Sequence, residues 1–175
     1  MKKLSCVMAA ILLIVGCMAV LSGCQLGAKA PEIPEGYQVY KNDDLSFAYP
    51  DDWKSNSGSV VMLINPTGIG NNITVVYEAK TDGYDDLTVE SFNTMMKPSY
   101  EAVGMTISNV AVEKKTTNGL KVVQITYNAK MAGQSMTQTA FIFNAGKSTY
   151  TVTVTEVTPD AELVKTVFET LYTGK

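Results

Sequence analysis

From Tyr37 onward, apolar and polar residues alternate along most of the chain, the period of extended strands with one buried face. Leu45, Phe47 and Tyr49 alternate with Ser46 and Ala48, and the run stops at Pro50-Asp51-Asp52-Trp53. Val60 to Ile64 is nearly continuous in apolar residues and closes at Asn65-Pro66, which predicts a strand covered on both faces. Ile73, Val75, Tyr77 and Ala79 mark the next strand. Val123, Ile125, Tyr127 and Ala129 form one face of another, with Gln124, Thr126 and Asn128 opposite. Thr137, Thr139, Phe141 and Phe143 share a face on the strand that follows. Tyr150, Val152 and Val154 then alternate with Thr151, Thr153 and Thr155.

Turn signals at hairpin spacing separate these runs: Asn118-Gly119, Ala132-Gly133-Gln134 and Asn144-Ala145-Gly146-Lys147. Strands joined this tightly must be antiparallel neighbours, so the second half is a meander from about Thr106 to Val157. Two segments follow a helical period instead. Val89, Phe92, Met96, Tyr100 and Val103 lie near helical spacing behind Thr88 as N-cap, with Pro98 expected to kink or split the helix. Thr158-Pro159 reads as an N-cap and first-turn pair before a stripe of Leu163, Val164, Val167, Phe168 and Leu171. The fold class is therefore α+β, an antiparallel meander sheet with flanking helices.

The N-terminus has a different character. Met1-Lys2-Lys3 is a short positive segment, and Leu4 to Val20 is almost wholly apolar and uncharged. Leu21-Ser22-Gly23-Cys24 follows, resembling the lipobox of bacterial lipoproteins. That resemblance implies a diacylglyceryl group on the Cys24 thiol and cleavage by signal peptidase II between Gly23 and Cys24. The competing reading is an uncleaved membrane-spanning anchor, since an apolar run of roughly 18 residues can cross a bilayer. Ile14-Val15-Gly16-Cys17 also fits a loose lipobox, but cleavage there leaves a short apolar run and an apolar mature start. Two acyl chains give stable anchoring where one gives only reversible binding. The expected organisation is a lipoprotein signal peptide at 1–23, a lipidated Cys24 with a flexible tether to residue 36, and one domain over 37–175. Pro31 and Pro34 exclude a regular helix from the tether, which fully extended spans roughly 30–40 Å. The expected place is the extracytoplasmic face of the cell membrane.

Composition narrows the chemistry. Hydrophobic residues make up 46% and charged residues 18%, a globular balance. There is no His, and all 14 basic residues are Lys. With Lys2 and Lys3 removed, 12 Lys face 17 Asp and Glu, a formal charge of −5. An acidic domain without Arg is a poor match for phosphates or base edges, so no nucleic-acid partner is expected. Cys6, Cys17 and Cys24 all precede the domain, which excludes a disulfide framework, a catalytic thiol and Cys-bound metal within it. Without His or Cys the commonest general bases and thiol nucleophiles are missing. No Ser sits in a nucleophile-elbow sequence, and Gly68-Ile69-Gly70 lacks the spacing of a phosphate cradle.

Three weaker features remain. Asp43-Asp44, Asp51-Asp52, and Asp82 with Asp85-Asp86 fall in expected loops, where carboxylates are usually solvated turn formers but can hold calcium. Met95-Met96, Met131 and Met136 are core filler on the ordinary reading and Cu(I) thioethers on the other. The threonines of the 148–155 strand read as a solvent-facing sheet surface able to accept a protein partner.

The stretch Leu45-Ser46-Phe47-Ala48-Tyr49-Pro50-Asp51-Asp52-Trp53 resembles the early signature of PsbP-like and DcrB-like domains, a strand of alternating aromatics running into Pro and then Trp. The order after it is also similar, and the resemblance covers roughly residues 37–172. It implies a sheet flanked by helices in a small, non-catalytic exported or partner-binding protein. It carries over no catalytic, cofactor or metal residues. The metal sites of the photosynthetic branch depend on residues without a match here. Read from the residues, Trp53 is a plug covering one end of the sheet, with a pocket contact as its alternative. The expected function is thus a membrane-anchored, non-catalytic binding or accessory module for a protein partner or small ligand. The alternatives are a hydrolase with an unrecognised site and a weak calcium-binding surface protein.

Overall fold

The computed structural model describes residues 29–57, 60–67 and 70–174. Cys24, its cleavage junction, Cys17 and most of the Gly68-Ile69-Gly70 loop lie outside them. Nine strands and two helices are present among the described residues: β1 (Tyr37–Lys41), β2 (Ser46–Pro50), β3 (Lys54–Ser57), β4 (Val61–Ile64), β5 (Asn72–Ala79), α1 (Val89–Ala102), β6 (Met105–Thr117), β7 (Leu120–Met131), β8 (Gln134–Ala145), β9 (Ser148–Glu156) and α2 (Ala161–Thr170). No helix among the described residues is long and apolar enough to cross a membrane.

Seven strands form one antiparallel sheet in the order β3-β4-β5-β9-β8-β7-β6, and β1 and β2 form a separate hairpin. The meander expected over 106–157 is the block β6 to β9. Its tight connections use the turn chemistry the sequence announces. Asn118 and Gly119, and likewise Ala132 and Gly133, have φ of 48°, 78°, 50° and 85° respectively. Positive φ at both central residues gives the turn whose twist matches the strands it joins. β5 closes the arrangement by pairing with β9 over its whole length.

The register puts a distinct core on each sheet face. On one face Leu63, Ile73, Val75, Phe141, Phe143, Tyr150, Val152 and Val154 pack against the hairpin residues Leu45, Phe47 and Tyr49 and the α2 stripe Leu163, Val167 and Leu171. Trp53 belongs to this core and is only 6% exposed, as the plug reading expects. On the other face, Phe92 of α1 packs on Val123, Ile125, Tyr127, Ala129 and Ala140.

Three local expectations are corrected. The last helix starts at Ala161 with Asp160 as N-cap, its Oδ1 accepting the Leu163 N–H at 3.0 Å. Thr158 is unavailable for that role because Asn71 clamps it: the Asn71 side chain accepts the Thr158 N–H at 3.1 Å and donates to the Thr158 carbonyl at 2.9 Å. Second, α1 runs unbroken through Pro98. The carbonyl that Pro98 leaves without a helix donor is that of Thr94, on the exposed side where water can serve it. Third, β4 is not covered on both faces: Met62 points to the face that α1 leaves open and is 37% exposed.

Candidate functional site

α1 covers only part of its sheet face, and that incomplete cover creates a concavity. Thr88 starts the helix with a capping box, its side chain accepting the Ser91 N–H at 3.1 Å while the Ser91 hydroxyl accepts the Thr88 N–H at 2.9 Å. The helix then crosses over β6 and β7, with the Phe92 ring 5.4 Å from that of Tyr127. Beyond it, β8, β9 and β5 carry an open strip of the same face, and a groove of about 480 Å³ runs between helix and strip. Phe92, Met95, Met96 and Ile142 supply apolar lining, while Thr149, Thr151 and Thr153 form the strand side.

Hydrogen bonds fix both flanks. Below the helix, the Tyr127 hydroxyl donates to Gln138 Oε1 at 2.6 Å. Its single proton is thereby used, so in the 2.8 Å contact with Tyr100 it is Tyr100 that donates. Gln138 passes the chain on by donating from Nε2 to Thr155 Oγ1 at 3.1 Å. Burial, reinforced by the Tyr100 hydroxyl, pushes the Tyr127 phenol well above its ordinary range. It stays neutral under any physiological condition and serves as a strut. At the groove mouth, the Thr149 hydroxyl donates to Asn144 Oδ1 and accepts the Thr81 N–H, both at 2.7 Å. Tyr84, in a short 3₁₀ turn over Tyr84–Asp86, anchors the mouth by donating to the Lys121 carbonyl at 3.2 Å.

The threonine row therefore differs from the solvent-facing surface expected of it. Thr149 and Thr155 are buried, and Thr151 and Thr153 are half-buried on the groove wall. The methionines separate: Met95 and Met96 line the groove, Met136 packs into the cluster under α1, and Met131 is exposed at the end of β7. The acidic pairs lie in three different loops, and no three His, Cys, Asp or Glu side chains gather into a metal-binding group among the described residues. Two features escaped sequence reasoning. Tyr100 and Tyr127 were each placed on an apolar face, but their mutual hydrogen bond depends on a helix crossing that no local pattern encodes. The Tyr84 turn carries no hydrophobic period at all.

Comparison with known proteins bears on the fold. The PsbP family model matches residues 35–173. The solution structure of cyanobacterial PsbP (CyanoP) from Synechocystis superposes with a TM-score of 0.60 at 16% identity, covering 85% of this chain and 98% of that one. A crystal structure from Bacteroides thetaiotaomicron gives a TM-score of 0.51 at 15% identity, covering 75% of this chain and 45% of that one. No curated protein sequence matches the chain.

Proposed function

The chain belongs to the PsbP family, and from that premise we propose that it is an exported, lipid-anchored binding module that does no chemistry of its own. The observation that carries the binding role is the groove beside α1. Its volume of about 480 Å³ falls in the range of small-molecule sites, and its lining is largely apolar with a few hydroxyls converging on it. The ligand it fits is a small, mostly apolar molecule, with Met95 and Met96 as adaptable walls. A non-catalytic role is supported by the residues available: the domain has no His, no Arg and no Cys, and its most perturbed phenol is locked in a hydrogen-bonded strut. Anchoring is supported by the Leu21-Ser22-Gly23-Cys24 sequence behind an apolar run.

The groove is tested by titrating indole, a small and mostly apolar probe, into the full chain in detergent micelles and following the Met95 and Met96 methyl resonances, which report the groove and not probe dissolved in the micelles. Thr151→Trp fills the open side of the groove from a strand position that tolerates aromatics. The expected result is at least tenfold weaker probe binding in that variant with an unchanged melting temperature. Equal binding by both proteins would remove the groove as the ligand site and return the role to a protein-contacting surface.

A further inference from the structure

A second cavity, of about 400 Å³, lies on the opposite face of the sheet. Its floor is the β5–β9 pair, where Tyr77 and Tyr150 stand directly opposite each other with ring centroids 5.5 Å apart. Tyr40 reaches it from β1, its ring resting on Phe47 at 5.1 Å. The turn between β1 and β2 closes one side with Asn42, Asp43 and Asp44. Three tyrosines and two carboxylates thus share one cavity, and no lysine lines it.

The parts are held rigidly. Tyr150 is buried and stacks on Phe143 behind it, with centroids 5.9 Å apart and planes 12° from parallel. Asn42 Oδ1 accepts the N–H groups of Asp44 and Leu45 at 3.0 and 2.8 Å, and Asn42 Nδ2 donates to the Tyr40 hydroxyl at 3.4 Å. The Asp44 carboxylate lies over Gly146 in the next turn, so close that a Cβ there would fall 2.5 Å from Oδ1. Gly146 also has φ of 55°, so glycine serves both the turn and the approach. Among the described residues no lysine bridges to Asp43 or Asp44. Burial first, and then the Asp44 charge, raise the Tyr150 phenol above its ordinary range, so the field of this carboxylate reaches into the cavity.

A packing role accounts for Tyr150 but not for Tyr77, which is 61% exposed. Nor does packing account for a half-buried carboxylate that no lysine bridges among the described residues. Aromatic faces are negative at their centres; Tyr150 lies between Phe143 and Tyr77, so the ring left to add to the carboxylate field is that of exposed Tyr77. The chemistry that complements such a site is a diffuse positive charge on an apolar body. We propose that this pocket binds a small organic cation through its alkylammonium group, with the charge against Asp44 and the Tyr77 ring. A bare metal ion fits less well, since only two carboxylates line the cavity and no three His, Cys, Asp or Glu side chains gather among the described residues.

The test is isothermal titration of the full chain in detergent micelles with choline and, separately, its uncharged isostere 3,3-dimethyl-1-butanol. Choline should bind saturably, with the isostere at least about tenfold weaker. Tyr77→Phe keeps a ring and should retain affinity within about threefold, whereas Tyr77→Leu and Asp44→Asn should each lose about five- to thirtyfold. Tyr77 is exposed, so its two variants decide the matter even if the Asp44 variant perturbs the turn. Absence of saturable choline binding, equal binding of the isostere, or wild-type affinity in Tyr77→Leu would each overturn the assignment.

Discussion

Tyr127→Phe removes one oxygen from a side chain that is 3% exposed and otherwise leaves the packing of α1 on the sheet intact. That oxygen donates to Gln138 and accepts from Tyr100, so the change breaks two hydrogen bonds and leaves two half-buried partners to find others. A net hydrogen bond contributes about 1 kcal/mol, and a group stranded without a partner costs about 1–3 kcal/mol. Because Tyr100 and Gln138 both retain some access to water, the expected loss is about 2 kcal/mol at pH 7. For a domain of this size that lowers the melting temperature by roughly 5–8 °C. The pH dependence sharpens the test. Burial raises the Tyr127 pKa in the folded state, so its contribution is fully present below the unfolded value near pH 10 and is lost as pH rises beyond it. The unfolded chain then sheds a proton that the folded one keeps, and stability falls by up to about 1.4 kcal/mol per pH unit from this group. Phe has no proton to shed, so the gap between wild type and variant should narrow from pH 9.5 to 11. Urea unfolding followed by circular dichroism at four pH values measures both quantities. A gap below about 0.5 kcal/mol at pH 7, or pH profiles that stay parallel, refutes the reasoning about the buried strut.

Two further outcomes follow from single residues. Thr170 Oγ1 accepts the buried Ala48 N–H at 2.8 Å and donates to the Thr166 carbonyl at 2.6 Å, so it ties α2 to β2. Thr170→Val keeps the shape and strands that N–H, which should cost about 1–3 kcal/mol in chemical denaturation, while Thr170→Ser should recover most of it. At the N-terminus, Cys24→Ala should abolish incorporation of a radiolabelled fatty acid while Cys17→Ala leaves it intact; label retained in the Cys24 variant would sink the proposed anchor.

Much of the fold was legible because its signals are local. Alternation marked β5 and β7 to β9, and the Gly-bearing turns fixed which strands are neighbours. Those turns work through backbone sterics, which depend on two residues and little else. The misread places are those where a distant side chain intervened. Thr158-Pro159 is a good helix start until Asn71, distant in sequence but at the head of the neighbouring strand β5, occupies the Thr158 backbone. Val60 to Ile64 looks doubly buried until α1 proves too narrow to reach Met62. β3, Lys-Ser-Asn-Ser, carries no hydrophobic period, and only its pairing with β4 makes it a strand. Both candidate sites share this property. The groove exists because a helix covers half of a face, and the tyrosine pocket because a hairpin turn meets a strand pair that starts 28 residues beyond Asp44.

The two concavities lie on opposite faces of one sheet, and the N-terminal approach separates them further. Ala30, Pro31 and Ile33 lie beside Phe47 of the hairpin and Tyr172 after α2, so the chain enters along the hairpin side rather than across the α1 groove. Four residues lie between Cys24 and Lys29, and the five steps they make carry the chain no further than about 18 Å. With lipid on Cys24, as proposed, the tether would leave the domain from the hairpin side. The groove opens on the other face of the sheet, behind β8 and β9, where an anchored domain leaves it accessible. The tyrosine pocket shares its face with the hairpin, and its β1–β2 turn belongs to the same element the chain enters along. An organic cation bound there would sit nearer the membrane than a ligand in the groove. Were Cys24 lipidated as proposed, a tether leaving from one side of the sheet would keep the other side free for a ligand.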